Sequence, residues 1–267
     1  MTHVYHLLKE QFANTGLMFR MSAYDIKSLY QMHYLGALWQ FLTPAVQIFV
    51  YWFVFGIGIR GGAPVGDIPF FVWLLCGLIP WFFIGPSLVQ GSNSIYTKIN
   101  LVSKMKFPVS ILPAITIISK SANFYIMLAI LTGIVYFNGI NPGIFLLQLP
   151  YYLLCLYVFL FAFTILASTI SIIIRDFQLF LQSMMRLLFF LTPILWEPSR
   201  MPEVYHQILK LNPFYYLIFG FRDTFLGQGW FYEDLTYTLY FWALTLLILF
   251  IGAVLHFKFR KKFIDFL

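Results

Sequence analysis

Six stretches of the 267-residue chain are apolar almost without interruption: residues 35–59, 68–89, 118–137, 151–174, 177–196 and 235–257. Each matches or exceeds the roughly 20 helical residues that cross a bilayer. Membrane-barrel strands alternate apolar and polar positions over about ten residues. These runs do not alternate, so they predict six transmembrane helices. The fourth admits an earlier start at Ile144, with Pro150 kinking its first turn.

The pattern changes in three places between the runs. Residues 3–32 are broken near Asn14-Thr15-Gly16. Beyond the break, Leu17, Met18, Met21, Tyr24, Leu29 and Met32 share a helical face from which Arg20 and Lys27 are excluded. That amphipathic face suits a helix lying in the membrane interface. Residues 91–108, GSNSIYTKINLVSKMKFP, form a basic and mostly polar loop. Residues 197–234 are too long for a turn, and hold Pro198, Pro202, Pro213 and the apolar-aromatic run 214–221. They predict short helices dipping back into the outer leaflet, shielded there by protein. The expected fold is an all-α integral membrane protein with six transmembrane helices, an N-terminal amphipathic interfacial helix, and short external re-entrant helices between the fifth and sixth spans. Residues 1–34 form the interfacial unit and residues 35–267 the transmembrane domain.

Composition agrees with a membrane setting. Hydrophobic residues make up 61% of the chain and charged residues 10%, against about a quarter charged in soluble domains. The first thirty residues carry Lys9, Glu10, Arg20, Asp25 and Lys27 with no long apolar core, unlike a cleavable signal. Cys76 and Cys155 both sit inside apolar runs and read as small buried hydrophobes. Of the seventeen lysines and arginines, eleven fall on the side holding the termini and the 91–108 loop. Four, Arg60, Arg200, Lys210 and Arg222, fall on the other side, and Lys120 and Arg186 lie within spans. The positive-inside rule then predicts that both termini are cytoplasmic.

Several chemistries are disfavoured. All ten acidic residues lie outside the expected spans, and the five histidines sit at ends or in loops without metal-ligand spacing. Proton-coupled transporters place such groups at membrane depth. Asp223, Glu233 and Asp234 are the only acidic group near the interface for a membrane transferase, and their spacing is not reactive. The sequence contains no G-x-x-x-x-G-K-[ST] phosphate loop. Active transport by this chain therefore needs energy from another polypeptide.

Two polar stripes stand out within the spans. Gly36, Gln40, Thr43, Gln47 and Tyr51 share a face of the first; Gln178, Gln182, Arg186, Phe189 or Phe190, and Pro193 share one of the fifth. They suit either a conduit or hydrogen-bonded helix packing. Lys120, with Thr116 and Asn123, is expected near the inner end of the third span, snorkelling to the interface. Arg186 lies nine residues beyond Phe177, about 13 Å along a helix. That is close to mid-bilayer, where an unpaired guanidinium is costly.

The interfacial N-terminal helix, the six spans, the loop NLVSKMKFPVSILP and the external TPILWEPSRMP…LNPFYY…FRD together resemble the ABC-2 type permeases that export polysaccharides and related cell-surface polymers. Within that family the chain looks most like the wall teichoic acid branch, with the O-antigen and capsular polysaccharide branch as the first alternative and a drug or lipid exporter as the second. The resemblance implies a homodimer in a bacterial cytoplasmic membrane, joined to two copies of a separate ATP-binding subunit. ATP and Mg would be bound there, and this chain would hold no cofactor or metal. It also implies a lipid-linked polymer passing between the first and fifth spans. Tyr34, Gln40, Thr43, Gln47, Tyr51, Gln182, Arg186, Phe189, Phe190 and Trp196 are the candidate path residues. Lys98, Asn100, Leu101, Lys104 and Phe107 are the candidate contacts of a coupling helix with the ATPase. Aromatic side chains would let sugar rings slide past many weak sites.

Overall fold

The computed structural model describes residues 2–30, 36–98, 107–174, 176–198, 201–260 and 263. Tyr34, Asn100, Leu101 and Lys104 lie outside the described residues, and so does the side chain of Gln40. Among the described residues every regular element is a helix, with one isolated bridge between Val65 and Ile68.

The N-terminal segment is two helices, α1 (Thr2–Ala13) and α2 (Thr15–Tyr30), broken at Asn14 as the polar triplet suggests. Five helical stretches are long and apolar enough to span a membrane: Phe41–Ile59, Phe70–Ser92, Val109–Phe137, Gly143–Ile173 and Leu235–Phe259. The first comprises α3 (Trp39–Tyr51) and the π-helical segment Trp52–Ile59 that continues it. The others are built on α4 (Phe70–Ser92), α6 (Leu112–Phe137), α7 (Leu149–Ile173) and α11 (Leu235–Phe259). A single turn, α5 (Ser94–Thr97), follows α4.

Prolines move two boundaries. Pro113 sits in the first turn of α6, which therefore begins six residues before the expected residue 118. The fourth stretch begins at Gly143, close to the earlier start expected at Ile144: a 3-10 segment, Gly143–Gln148, leads into α7, whose first turn holds Pro150, where no N–H is needed.

The expected crossing at 177–196 is shorter than the other five. Its helix, α8 (Phe177–Leu191), has 15 residues. Thr192, which precedes Pro193, is extended at ψ 131°, as the pre-proline position favours. The chain nevertheless runs from one end of the bundle to the other. At one end Gln178 bonds to Ser92 and to the Val89 carbonyl; at the other Glu197 pairs with Arg60. The segment after it holds α9 (Glu203–Lys210) and α10 (Pro213–Leu226). Asn212 caps α10 through its side chain, and Gly227 ends it at φ +67°.

Apolar contact between helices gains little in lipid, so packing depends on close approach at small residues. The axis of the bundle is α4, buried along most of its length, with α6, α7, α8 and α10 around it. At Gly220 of α10 the Tyr152 ring lies where a Cβ would be. By contrast α3 is almost entirely exposed.

Helices α1 and α2 are clamped to the end that holds the close of α11. Leu7 packs against Ala162, Leu249 and Ala253, and Met18 against Ile111, Ile115 and Ile172. Glu10 accepts from Ser110 and pairs with Arg260, and Asp25 pairs with Lys98. Burial pushes the Glu10 carboxyl up, but Ser110 and Arg260 more than offset this and hold it below 4.5. Tyr5, Phe12, Phe19 and Tyr24 remain exposed on these helices.

Candidate functional site

Helical spacing sets Gln47 and Tyr51 one turn apart on α3, and Gln182, Arg186 and Phe189/Phe190 one turn apart on α8. The fold brings both faces to one cavity of about 600 Å³. Its third wall is α4, through Trp81, Phe82, Gly85, Pro86 and Val89. That wall is not apparent in the sequence, because α4 is apolar all round and has no polar stripe. Phe189 is the centre of the cavity's aromatic cluster. Its ring centroid lies 5.3 Å from Tyr51, 5.7 Å from Trp81 and 5.1 Å from Phe190.

Arg186 is exposed in this cavity. Its guanidinium donates to Ser183 Oγ at 3.4 Å, and it has no carboxylate partner among the described residues. The cationic head thus faces space lined by amides and rings, an arrangement suited to receiving an anion.

The other expected path residues are spread more widely. Thr43 lines a neighbouring cavity of about 340 Å³, which shares Gln47 with the first. Trp196 lines a further cavity of about 460 Å³ beside Arg60 and Glu197, and its indole N–H donates to the Phe190 carbonyl at 2.9 Å. Gln178 belongs to packing: Ser92 Oγ donates to it at 2.7 Å, and it donates to the Val89 carbonyl at 2.8 Å. Among the coupling candidates, Lys98 is paired with Asp25, and Phe107 packs against the Met18 cluster.

Arg222 occupies a place its sequence position does not suggest. It is 1% exposed, not an external loop charge. It donates to the Pro193 carbonyl at 2.6 Å and the Ile194 carbonyl at 2.9 Å, and stacks 3.5 Å from the Trp73 ring centroid. The break after α8 frees those carbonyls, and Arg222 satisfies them. The triplet Leu211-Asn212-Pro213 starts its helix, and Asn212 Nδ2 donates to Thr192 Oγ1 at 2.9 Å.

Residues 17–226 match the ABC-2 type transporter family. The chain belongs to that family. Membership makes it a multi-pass membrane transport subunit that works with an ATP-binding partner. The ABC-2 chain is 28% identical over 221 residues to an O-antigen export system permease protein RfbA from Myxococcus xanthus, covering 82% of this chain and 84% of the relative. Two proteins of the same name from Klebsiella pneumoniae are 26% and 25% identical over 244 residues, covering 91% of this chain and 92% of each. In this ABC-2 chain the matched region takes in α2 through α10, and so both walls of the 600 Å³ cavity that carry polar stripes.

Proposed function

We propose that the chain is the permease of an ATP-driven exporter of a lipid-linked, anionic cell-surface polysaccharide of the O-antigen or capsular class. The observation that carries this reading is the cavity between α3, α4 and α8. There Arg186 and two glutamines stand among the rings of Tyr51, Trp81, Phe82, Phe189 and Phe190. Rings offer sugar C–H faces weak, repeated contacts, which a moving polymer requires. A guanidinium matches phosphate or carboxylate geometry. What favours polysaccharide over wall teichoic acid, the first expectation from sequence, is that the three relatives are named O-antigen export permeases.

In this reading α8 completes six crossings, with α9 and α10 re-entering the outer leaflet. Both termini face the cytoplasm of a bacterial cytoplasmic membrane. Two copies of the chain join two copies of an ATP-binding subunit, which holds ATP and Mg; the permease carries no cofactor and alters no bond in the polymer. Nucleotide-driven closure reaches the spans through residues 91–108, with Lys98, Asn100, Leu101, Lys104 and Phe107 at the contact, and moves α3 against α8. Tyr34, Gln40, Thr43 and Trp196 extend the path beyond the central cavity.

Deleting the gene in its host is expected to remove a surface polysaccharide, and the tagged chain is expected to co-purify with an ATP-binding subunit. Unchanged surface polymer sinks the reading. Loss of a polymer with a phosphodiester backbone in place of a polysaccharide overturns the substrate class.

A further inference from the structure

A second, smaller cavity opens at the end of the bundle where α2, the close of α4, α5 and α6 meet. It measures about 280 Å³, and its nine lining side chains are all polar or charged, in a chain that is 61% hydrophobic. Two are lysines, Lys98 and Lys120, and one is an acid, Asp25. Asp25 is committed to Lys98 at 2.5 Å. Lys120 forms no ion pair among the described residues. It sits eight residues after Leu112, where α6 begins, about 12 Å along the helix. A half-buried cation at that depth calls for a counter-charge.

The hydrogen-bonding groups around it divide into two sets. The Thr97, Thr116 and Ser119 hydroxyls are spent on carbonyls of their own helices. The Gln90 and Asn93 side-chain amides line the cavity and have no partner among the described residues, so they remain as donors beside the two ammonium groups. With two lysines and one aspartate, the net charge of the site is positive.

Gln90 and Lys120 also line the 340 Å³ cavity that leads inward toward Gln47. Its remaining walls are largely apolar: Ile79, Phe82, Phe83, Phe124 and Met127. One polar atom there, Asn123 Oδ1, is buried and unpartnered among the described residues. A cationic polar chamber that opens into an aromatic one matches an amphiphile with an anionic head.

We propose that these joined cavities bind the phosphate head of an anionic lipid, with Lys120 as its principal ligand. The amides of Gln90 and Asn93 complete the phosphate shell, beside the Lys98–Asp25 pair. The first carbons of the lipid chain lie along Phe82, Phe83 and Phe124. That this lipid is the carrier of the exported polymer rests on the export function proposed above; the phosphate site itself does not.

The full-length chain, purified in detergent, is titrated in native mass spectrometry with dioleoyl phosphatidic acid, dioleoylglycerol and inorganic phosphate. Phosphatidic acid is expected to bind more tightly than inorganic phosphate through its acyl chains, and about tenfold or more tightly than dioleoylglycerol, as one charge-assisted contact predicts. Lys120→Gln is expected to remove that margin, Lys120→Arg to restore it, and Lys9→Gln, on the exposed face of α1, to leave it intact. If Lys120→Gln fails to fold, Gln90→Leu at the exposed lip of the cavity is expected to lower binding several-fold. Unchanged binding in the Lys120→Gln or Gln90→Leu protein, or equal binding of dioleoylglycerol, overturns the site. Equal affinity for inorganic phosphate overturns the lipid assignment. Export is scored separately in cells. Export that persists without the gene overturns the transport reading and leaves the binding result standing.

Discussion

Arg222 lies flat against Trp73, with its guanidinium carbon 3.5 Å from the ring centroid, and donates to the two carbonyls freed by the break after α8. The contact joins α10 to α4 and to the end of α8 with no ion pair to Arg222 among the described residues. Carbonyl dipoles and the face of an indole balance the charge, a combination that suits arginine and not lysine. Gly77 makes room for it, since a Cβ there would approach Nη2 to 2.7 Å.

Removing this arginine should destabilise the fold. Arg222→Ala leaves two carbonyls unpaired and opens a void, at a cost of about 3–5 kcal/mol. Arg222→Lys is expected to recover less than half of the loss, because one ammonium cannot both stack and reach two carbonyls. Thermal unfolding of the detergent-solubilised protein, followed by size-exclusion chromatography, measures both. Wild-type stability in Arg222→Lys contradicts the assignment.

The approach of Gly220 to Tyr152 gives a second test. A Cβ at Gly220 meets the ring, not a flexible chain end. Gly220→Ala is therefore expected to cost about 1–3 kcal/mol through overpacking. Adding Tyr152→Leu should return part of that loss, so the pair should be non-additive in a double-mutant cycle.

Docking of α1 should depend on acid pH. The Glu10 carboxyl titrates below its ordinary value of 4.5 because Ser110 and Arg260 together outweigh the effect of burial. A carboxylate depressed on folding adds stability above its unfolded pKa and loses it as pH falls through the folded one. Protection of α1 from proteolysis is thus expected to be complete at about pH 6 and to decline below about 4.5. Glu10→Gln should flatten that profile while lowering protection at neutral pH.

Arg186 has a functional role to test, not a structural one. Its side chain is exposed and bonded only to Ser183 among the described residues, so Arg186→Ala should change stability by less than ~0.5 kcal/mol. Export of an anionic polymer is expected to fall about tenfold, the scale of one charge-assisted contact. Arg186→Lys should keep part of the activity. Full export by Arg186→Ala would falsify its place on the path.

The long apolar runs allowed the helices to be read in advance, because hydrocarbon offers backbone groups no partner and only closed hydrogen-bonding elements survive there. The Asn14 break, the presence of short helices between residues 197 and 234, and five of the span positions follow from that rule and from turn chemistry. The polar stripes on α3 and α8 were legible too, since 3.6-residue spacing puts Gln47 with Tyr51 and Gln182 with Arg186 whatever surrounds them. The same spacing could not separate Gln178, bonded to Ser92 across a helix contact, from Gln182, which lines the cavity. Nor could it reveal the third wall on α4, where every face is apolar and periodicity carries no signal.

Sequence alone therefore determined that this chain is helical and membrane-embedded, and which faces of its spans are polar, because those properties depend on local hydrogen bonding and helical repeat. Tertiary structure decided which polar groups meet. It buried Arg222, in sequence a loop charge, on the carbonyls freed by the break after α8, and left Lys120 in an all-polar chamber with its nearest acid already paired. A side chain's partner is set by residues distant in the chain, and no local pattern records that choice.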